Sequence, residues 1–311
     1  MQLSKESLFD LDFDPPVGYP ETVKNSLKRI VAPNASPMTF RGTNTYLLGT
    51  NSIAVIDPGP DDPTHLEAIL STIPKSAEIT EILVTHAHTD HSAASAKLSK
   101  LTGAPVKAFG DHVAGRNPTY ADWSKFDEYG GGKGVDSSFR PDSKLGAGDK
   151  IRSGEWTVEA IWTPGHFGNH LCFSWHEGGA IFSGDILMGW STTLISPPDG
   201  HIGDFMNSLD ILSLRSESLY LPGHGAPIYD PQSMIAFQAR HRRNRESQIL
   251  KKLVGKNLTA RRIAESVYDD VAAHLIPAAT CNVFAHLLDL RERGLVKSNG
   301  RPDFGAKFSL S

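Results

Sequence analysis

Cysteines and long apolar segments are scarce in this sequence. Its two cysteines, Cys172 and Cys281, lie far apart among 311 residues, which excludes a scaffold held together by several disulfides. We interpret both as small, buried apolar side chains. Acidic residues occupy the amino-terminal segment where a secretory signal has an apolar run, and no stretch approaches the roughly 20 apolar residues of a membrane span. We therefore expect a cytoplasmic protein that does not contact a membrane.

Net charge is also small, at -4, so composition alone indicates no strongly charged partner. The charges are unevenly distributed, because residues 1–238 contain 17 Lys and Arg against 28 Asp and Glu, whereas residues 239–311 contain 14 against 7. A basic tail after an acidic body indicates either a domain boundary or a surface for an anionic partner. Its most basic segment, which could bind phosphates or form a solvated helix face, contains Arg240, Arg242, Arg243 and Arg245.

The first two thirds of the chain alternate between strand-like and helix-like segments. Residues 43–50 and 52–59 are typical of paired strands, and helices are predicted from Pro63 to Ile73 and from Ser92 to Leu101. Residues 111–148 are rich in Gly, Pro and Asp, and we interpret them as a long surface loop, either a substrate lid or an insertion. This alternation is typical of an α/β layered fold.

After about residue 230 the pattern becomes helical. Pro231 begins a long predicted helix, Thr259 caps a second, and Pro277 begins a third, which is followed by a short β wing. The sequence therefore predicts a catalytic domain over residues 1–230 and a helical, winged-helix-like domain over residues 231–311. The third helix could contact nucleic acid or a second copy of the chain in a homodimer.

The segment VTHAHTDH, residues 84–91, contains four residues of metal-ligating type within six positions. His86 and His88 follow a predicted strand and are separated by one residue, so both imidazoles can face the same metal ion. Asp90 and His91 lie on the turn into the next helix and can reach a second ion. Imidazole nitrogen and carboxylate oxygen are ligands that zinc, iron and manganese accept.

Three more candidate ligands follow predicted strands further along the chain. They are His166 in WTPGH, Asp185 in IFSGD and His224 in LPGHG, and each has a neighbouring glycine that allows a tight turn close to a metal. A carboxylate between two ions can bridge them at the separation of roughly 3.5–4 Å that two-metal hydrolysis requires.

The order of these motifs resembles that of the metallo-β-lactamase superfamily, over roughly residues 30–230. The resemblance implies a four-layer αββα sandwich with two bound metal ions. It implies that Asp185 is shared by both ions and that Asp57 supports the ligands from outside. The implied ligands of the first ion are His86, His88 and His166, and those of the second are Asp90, His91 and His224.

Further features resemble the β-lactamase-like protein 2 family, over nearly the whole chain. They are the segment RGTNTYLLG, the segment MGWST and the winged-helix-like tail. Characterised members of that family include endoribonucleases selective for single strands. An aspartate at 185, where the antibiotic-degrading members often have cysteine, resembles the glyoxalase II-like and nuclease-like members. Relatives commonly have TPGHT, whereas this chain has Phe167 after His166 and lacks the hydroxyl.

These patterns predict a metal-dependent hydrolase that uses two divalent ions and a metal-bound hydroxide, with Zn²⁺ expected and Mn²⁺ or Fe as alternatives. We expect Asp90 to orient the hydroxide as well as to bind metal. The expected substrate is single-stranded RNA, and a thioester or small ester is the alternative. A nucleic-acid-binding or scaffold protein with a vestigial metal site is the third interpretation. His170 could support the ligands by a hydrogen bond or act as a general acid.

Overall fold

Two mixed β-sheets pack face to face in this protein. The computed structural model describes residues 8–120, 134–269 and 272–311. The first sheet has seven strands in chain order, antiparallel from β1 to β4 and parallel from β4 to β7. Its strands are β1 Glu21–Lys24, β2 Leu27–Val31, β3 Asn44–Leu48, β4 Ser52–Ile56, β5 Glu78–Leu83, β6 Val106–Ala108 and β7 Ser143–Lys144.

The second sheet has five strands in the order β12-β11-β10-β9-β8. Its neighbouring strands are antiparallel except for β11 and β12, which run parallel. The two strands that precede Asp185 and His224 therefore end at the same edge. The strands are β8 Lys150–Arg152, β9 Thr157–Trp162, β10 Leu171–Trp175, β11 Ala180–Gly184 and β12 Leu219–Pro222.

Helices cover the outer face of each sheet. Asp62 caps the first helix by accepting hydrogen bonds from the amides of Thr64 and His65, which confirms the predicted start at Pro63. Helices α1 and α3 pack on the first sheet, and α4 and α5 pack on the second. Their bounds are α1 Pro63–Thr72, α2 Thr89–Ser92, α3 Ser95–Thr102, α4 Ile202–Ser213 and α5 Pro231–Leu253.

Strands β3 and β4 of the first sheet are buried on both faces, and this explains their largely apolar sequences. Leu47 and Val55 pack beneath α1 and α3, whereas Leu48 and Ile56, one residue further on, pack against the second sheet. Each such side chain contributes about 1.5–3 kcal/mol to folding when it is fully buried. The predicted αββα sandwich is therefore confirmed.

The carboxyl-terminal part contains two further helices and a three-stranded sheet in the order β13-β15-β14. As predicted, the hydroxyl of Thr259 accepts a hydrogen bond from the first turn of α6. Helix α5 contributes Met234 to the core of the second sheet and Leu253 to the carboxyl-terminal core. The boundary at residue 230 therefore stays a prediction. The elements are β13 Leu258–Thr259, α6 Ala260–Val267, α7 Ile276–Glu292, β14 Val296–Ser298 and β15 Lys307–Leu310.

The interpretation of residues 111–148 as one long surface loop is wrong for the described parts of it. Tyr120 ends a short 3₁₀ helix and is buried in the carboxyl-terminal core, and Phe139 is buried under the first sheet. Burial of these two rings outweighs the turn-forming composition around them. Residues 121–133, with most of the glycine run, lie outside the described residues. In the described ranges no helix combines the length and apolar character needed to cross a bilayer.

Candidate metal centre

All seven residues predicted as ligands lie together at the carboxyl-terminal edges of the two sheets. Strands β4 and β5 of the first sheet and strands β9, β11 and β12 of the second end there. Each ligand follows a strand or belongs to the short helix α2. This edge is where α/β folds present side chains to a common crevice. His86 and His88 follow β5, Asp90 and His91 belong to α2, His166 follows β9, Asp185 follows β11, and His224 follows β12.

Three histidines form the first group of converging ligand atoms. Nε2 of His86 lies 2.8 Å from Nδ1 of His88, and Nε2 of His166 lies 3.1 Å from the same Nδ1. These three nitrogen atoms lie within 4.8 Å of one another, so one ion can contact all of them.

The second group contains Asp90, His91 and His224. Nε2 of His224 lies 3.2 Å from Oδ2 of Asp90 and 3.3 Å from Nε2 of His91. Asp185 lies between the groups, because its Oδ2 is 3.7 Å from Nε2 of His166 and 3.5 Å from Nε2 of His224. This position matches that of a carboxylate shared by two ions.

Hydrogen bonds on the outer sides of the rings determine which nitrogen atoms carry protons. Nδ1 of His91 lies 2.8 Å from Oδ2 of Asp57, and Nδ1 of His166 lies 2.7 Å from the Leu194 carbonyl oxygen. Nδ1 of His224 lies 3.2 Å from the carbonyl oxygen of Gly42. Because these partners only accept, each Nδ1 donates, so Nε2 is the nitrogen atom that each ring can offer to a metal ion once it is unprotonated.

Nitrogen and oxygen lone pairs that converge in this way repel one another unless a proton or a metal ion lies among them. Oδ1 of Asp185 is also buried and has no hydrogen-bond partner among the described residues. Buried polar atoms in folded proteins almost always have a partner. The donor set therefore fits divalent metal ions.

The electrostatics of the cluster point to the same conclusion. Burial lowers the pKa of His88 to about 3, and His166 acts in the same direction, so this imidazole is a neutral ligand. Burial raises the pKa of Asp185, but His224 and His91 outweigh burial and hold that pKa well below its usual value. Burial lowers the pKa of His224, but the carboxylate of Asp185 outweighs burial and raises that pKa to about 10. The negative field that attracts a proton there attracts a metal ion equally.

Asp57 holds His91 by a hydrogen bond from outside the ligand groups, in the supporting position that the family resemblance implies. Its Oδ1 accepts a hydrogen bond from the Thr85 amide at 2.7 Å, and its Oδ2 accepts from Thr85 Oγ1 and His91 Nδ1, each at 2.8 Å. Its backbone has a φ of 51°, a left-handed conformation that Asp and Asn tolerate better than most residues. Asp57 therefore fixes both the loop before His86 and the ring of His91.

Sequence reasoning missed Asn44, which positions His224 from the other sheet. Its Nδ2 donates to the carbonyl oxygens of Pro222 and Gly225, each at 2.9 Å, on either side of that histidine. The available signal was a run of three polar residues, 43–45, before the apolar part of β3.

His170 has the supporting role that the sequence allowed for it. Its Nε2 accepts a hydrogen bond from the amide of Asp185 at 3.1 Å, and its Nδ1 lies 2.9 Å from Thr163 Oγ1. Both nitrogen atoms are thus engaged inside the protein. Phe167, which takes the place of the usual threonine, is buried against the rings of His86 and His88.

One glycine is required by the close approach of two strand ends. A Cβ atom on Gly223 would lie 2.6 Å from both Oδ1 of Asp185 and Cε1 of His91. No real side chain fits at such a distance, which confirms that a glycine beside His224 lets the backbone approach the site.

A cavity of about 590 Å³ opens directly beside both ligand groups. Its lining away from the ligands is mainly apolar, and the polar residues in it are Ser36, Thr39, Thr89, Ser196, Asp199 and His274. The apolar residues are Pro37, Met38, Leu194, Leu275, Pro277, Ala278 and Cys281. None of the described residues that line it is a lysine or an arginine. The size is typical of a small-molecule site.

The basic run of α5 does not form a continuous charged surface. Arg242 is fully buried and donates to Asn282 and to the Thr193 carbonyl, and Arg245 lies over the ring of Tyr268, 3.7 Å from its centre. Arg240 and Arg243 remain exposed. Two of the four arginines thus stabilise the fold.

Comparisons with known proteins agree with this geometry. The metallo-beta-lactamase superfamily model matches residues 38–224, and the model of the beta-lactamase associated winged helix domain matches residues 259–305. A beta-lactamase-like protein 2 homolog from Drosophila melanogaster is 31% identical over 90% of this chain and 92% of its own length.

Two other proteins are similar at lower identity. Atrochrysone carboxyl ACP thioesterase dmxR1 from Cryptosporiopsis is 28% identical over 77% of this chain and 66% of its own length. The crystal structure of a beta-lactamase domain protein from Burkholderia ambifaria has a TM-score of 0.78 at 18% identity and covers 96% of both chains, which shows the fold alone. This chain therefore belongs to the metallo-β-lactamase superfamily and is a metal-dependent hydrolase with a carboxyl-terminal winged-helix domain.

Proposed function

We propose that this enzyme hydrolyses acyl thioesters at a centre of two divalent ions, with Zn²⁺ as the expected metal. The first ion would be held by His86, His88 and His166, the second by Asp90, His91 and His224, and Asp185 would contact both. The observation that supports this choice is the cavity beside these residues, which has apolar walls and no lysine or arginine among its described lining residues. A neutral ester group with an apolar substituent fits such a cavity.

When bound, the two ions would lower the pKa of water and polarise the thioester carbonyl. Asp90 lines the cavity, where its carboxylate can accept a hydrogen bond from the attacking water and orient it. The water oxygen bonds to the acyl carbon, and its protons pass to solvent as the acid product ionises. The carbon–sulfur bond breaks, and the departing thiolate takes up one proton from solvent. His170 would not supply that proton, since both its ring nitrogen atoms are engaged.

Hydrolysis of single-stranded RNA is the second candidate. The similarity to the beta-lactamase-like protein 2 homolog over 90% of this chain favours it. We rank it second because a phosphodiester is anionic, and proteins that bind RNA backbones neutralise phosphates with Lys and Arg. The described cavity wall offers neither, and Arg242 is engaged inside the fold.

The test is a substrate panel for the metal-loaded protein. Acetyl, butanoyl and octanoyl thioesters of pantetheine would be followed by thiol release, beside a fluorescent single-stranded RNA. Asp185→Asn is the inactive control, and Asp210→Asn, at an exposed position of α4, is the matched control. Thioester turnover that is lost only in Asp185→Asn supports the proposal. RNA cleavage without thioester turnover, lost in the same variant, would overturn it in favour of the second candidate.

A further inference from the structure

Helix α7 is buried along most of its length, which is unusual for the third helix of a winged-helix domain. In winged-helix proteins that bind DNA, this helix enters the major groove and must be exposed. Here every residue from Ala279 to Leu290 is buried. Leu287 packs in the carboxyl-terminal core, and Ala285 packs in the core beneath the second sheet. The helix therefore has another role than groove recognition.

The amino-terminal end of α7 forms one wall of the cavity beside the candidate metal ligands. Leu275, Pro277, Ala278 and Cys281 line this wall. These four side chains are apolar, although His274 lines the cavity beside them, and His88 and His224 of the two ligand groups line the same cavity. The carboxyl-terminal domain thus completes the pocket of the catalytic domain.

A second wall, formed by residues 36–39, is also mainly apolar, although it contains two hydroxyl groups. Pro37 and Met38 lie on it, between Ser36 and Thr39. The hydroxyls of Ser36 and Thr39 lie 2.9 Å from each other, and Thr39 Oγ1 also donates to the carbonyl of Asn34 at 2.6 Å. Their hydrogen bonds are made within the protein, so this wall does not require a polar substrate group.

We infer that the first turn of α7 binds the acyl chain of the substrate and that the enzyme prefers apolar acyl chains of medium length over acetyl. This inference rests on the proposed thioester hydrolysis. Of the two ends of a thioester, the acyl chain is the apolar one, whereas carrier thiols such as pantetheine contain amide groups. Each methylene buried against these walls is expected to raise kcat/KM about fourfold.

The experiment compares octanoyl with acetyl pantetheine as substrates of the metal-loaded, full-length protein. Wild type is expected to show at least a tenfold higher kcat/KM for octanoyl. Ala278→Phe narrows the cavity from the α7 side and should lower the octanoyl value at least tenfold more than the acetyl value. Ala236→Phe, at an exposed position of α5, is the matched control and should leave the ratio unchanged.

A second variant and a binding measurement keep the test decisive. Met38→Trp narrows the cavity from the second wall, where Met38 is half-exposed, and should change the ratio in the same direction even if Ala278→Phe does not fold. Calorimetry with S-octyl and S-ethyl pantetheine, which cannot be hydrolysed, should give at least tenfold tighter binding of the octyl compound by wild type. That preference should be reduced in both cavity variants.

The outcomes separate this inference from the proposed function. Absence of thioester turnover together with selective octyl binding would overturn the proposed reaction and support the apolar chain site. Turnover with equal values for octanoyl and acetyl would overturn the chain site and leave the proposed reaction in place. Equal fold-losses of kcat/KM for octanoyl and acetyl pantetheine in both variants would also overturn the chain site, because a wall that binds the acyl chain must discriminate by chain length.

Discussion

Arg242 on α5 donates a hydrogen bond from Nη1 to Oδ1 of Asn282 on α7 at 2.9 Å, and both side chains are buried. Nη2 of the same guanidinium donates to the carbonyl oxygen of Thr193. The next residue, Leu194, accepts from His166. Burial lowers the pKa of Arg242 to about 10, so it is still charged at neutral pH. One buried cation thus connects α5, α7 and the segment that supports a candidate ligand.

Replacing Arg242 should destabilise the protein strongly. Arg242→Met leaves the oxygen atoms of Asn282 and Thr193 without these donors, at about 1–3 kcal/mol for each unsatisfied buried group, partly offset because a desolvated charge is also removed. We expect the free energy of unfolding to fall by about 2–4 kcal/mol in urea titrations. Arg243→Met, at an exposed position one residue further on, should change it by no more than about 0.5 kcal/mol. Equal effects would show that Arg242 has no special structural role.

Asp57 should control metal affinity without contacting metal. Asp57→Asn keeps the side-chain shape and tolerates the left-handed backbone, but it weakens the acceptor that orients His91. Loss of such a partner typically reduces metal affinity 10–100-fold. The measurement is competition for Zn²⁺ with a fluorescent chelator, and we expect a reduction in that range.

Asp61→Asn is the matched control for this prediction. Asp61 lies in the same loop, and its carboxylate is paired with Lys97 at the surface, 2.5 Å away. Its replacement should leave the affinity for Zn²⁺ unchanged. Unchanged affinity in Asp57→Asn as well would contradict the supporting role of this residue.

The candidate ligands were predictable because each belongs to a short local pattern. His86, His88, Asp90 and His91 occur within six residues after a buried strand, and the other three follow strands that end in glycine turns. Strands of a layered fold end at shared edges, so local patterns were sufficient to predict that these side chains meet. The same alternation of strands and helices predicted the αββα layers.

Contacts between distant segments were not predictable in this way. Tyr120 belongs to a turn-rich segment but is buried in the carboxyl-terminal core, and the Asn44 side chain donates a hydrogen bond to Pro222 of the other sheet. A single sequence contains no local signal for either partner. The burial of α7 was not predictable for a related reason. The spacing of its apolar residues is equally compatible with contact to a core, to a second copy of the chain or to nucleic acid. Only the placement of α5 and the second sheet distinguishes these possibilities.

Metal removal should lower the thermal stability of the protein. Ions that bind only the folded chain stabilise it, by about 2.7 kcal/mol at a free concentration 100-fold above Kd. For a chain of this size that corresponds to a drop in Tm of roughly 5–10 °C after chelation. Calorimetry before and after chelation, with metal content measured on the same samples, tests this, and about two ions per chain are expected.

Asp185→Asn should remove most of this response to chelation. The variant loses the carboxylate placed between both ligand groups, whereas the exposed Asp210→Asn retains it. A chelation shift in Asp185→Asn as large as that in wild type would contradict a shared position for Asp185.

His201 should make the stability of the protein depend on pH. Its Nδ1 lies 3.2 Å from Oδ2 of Asp204 in the first turn of α4, and its Nε2 lies 3.2 Å from Oε2 of Glu292 on α7. Asp289 and the ring of Tyr120 also face it. Burial lowers the pKa of His201, but the carboxylates of Asp204 and Glu292 outweigh burial, so the folded-state pKa is raised above 6.5.

A raised pKa in the folded state stabilises the protein most at low pH. The contribution of His201 to the free energy of unfolding is complete below its unfolded pKa of about 6.5. It is lost as the pH rises through the folded-state pKa. His201→Gln cannot be charged, so the difference in free energy of unfolding between wild type and variant should be larger at pH 6 than at pH 9. Urea titrations at both pH values measure it, and Glu292→Gln should reduce the pH dependence by weakening the same interaction. A difference that stays constant or grows toward pH 9 would show that the charged form of His201 does not hold α4 and α7 together.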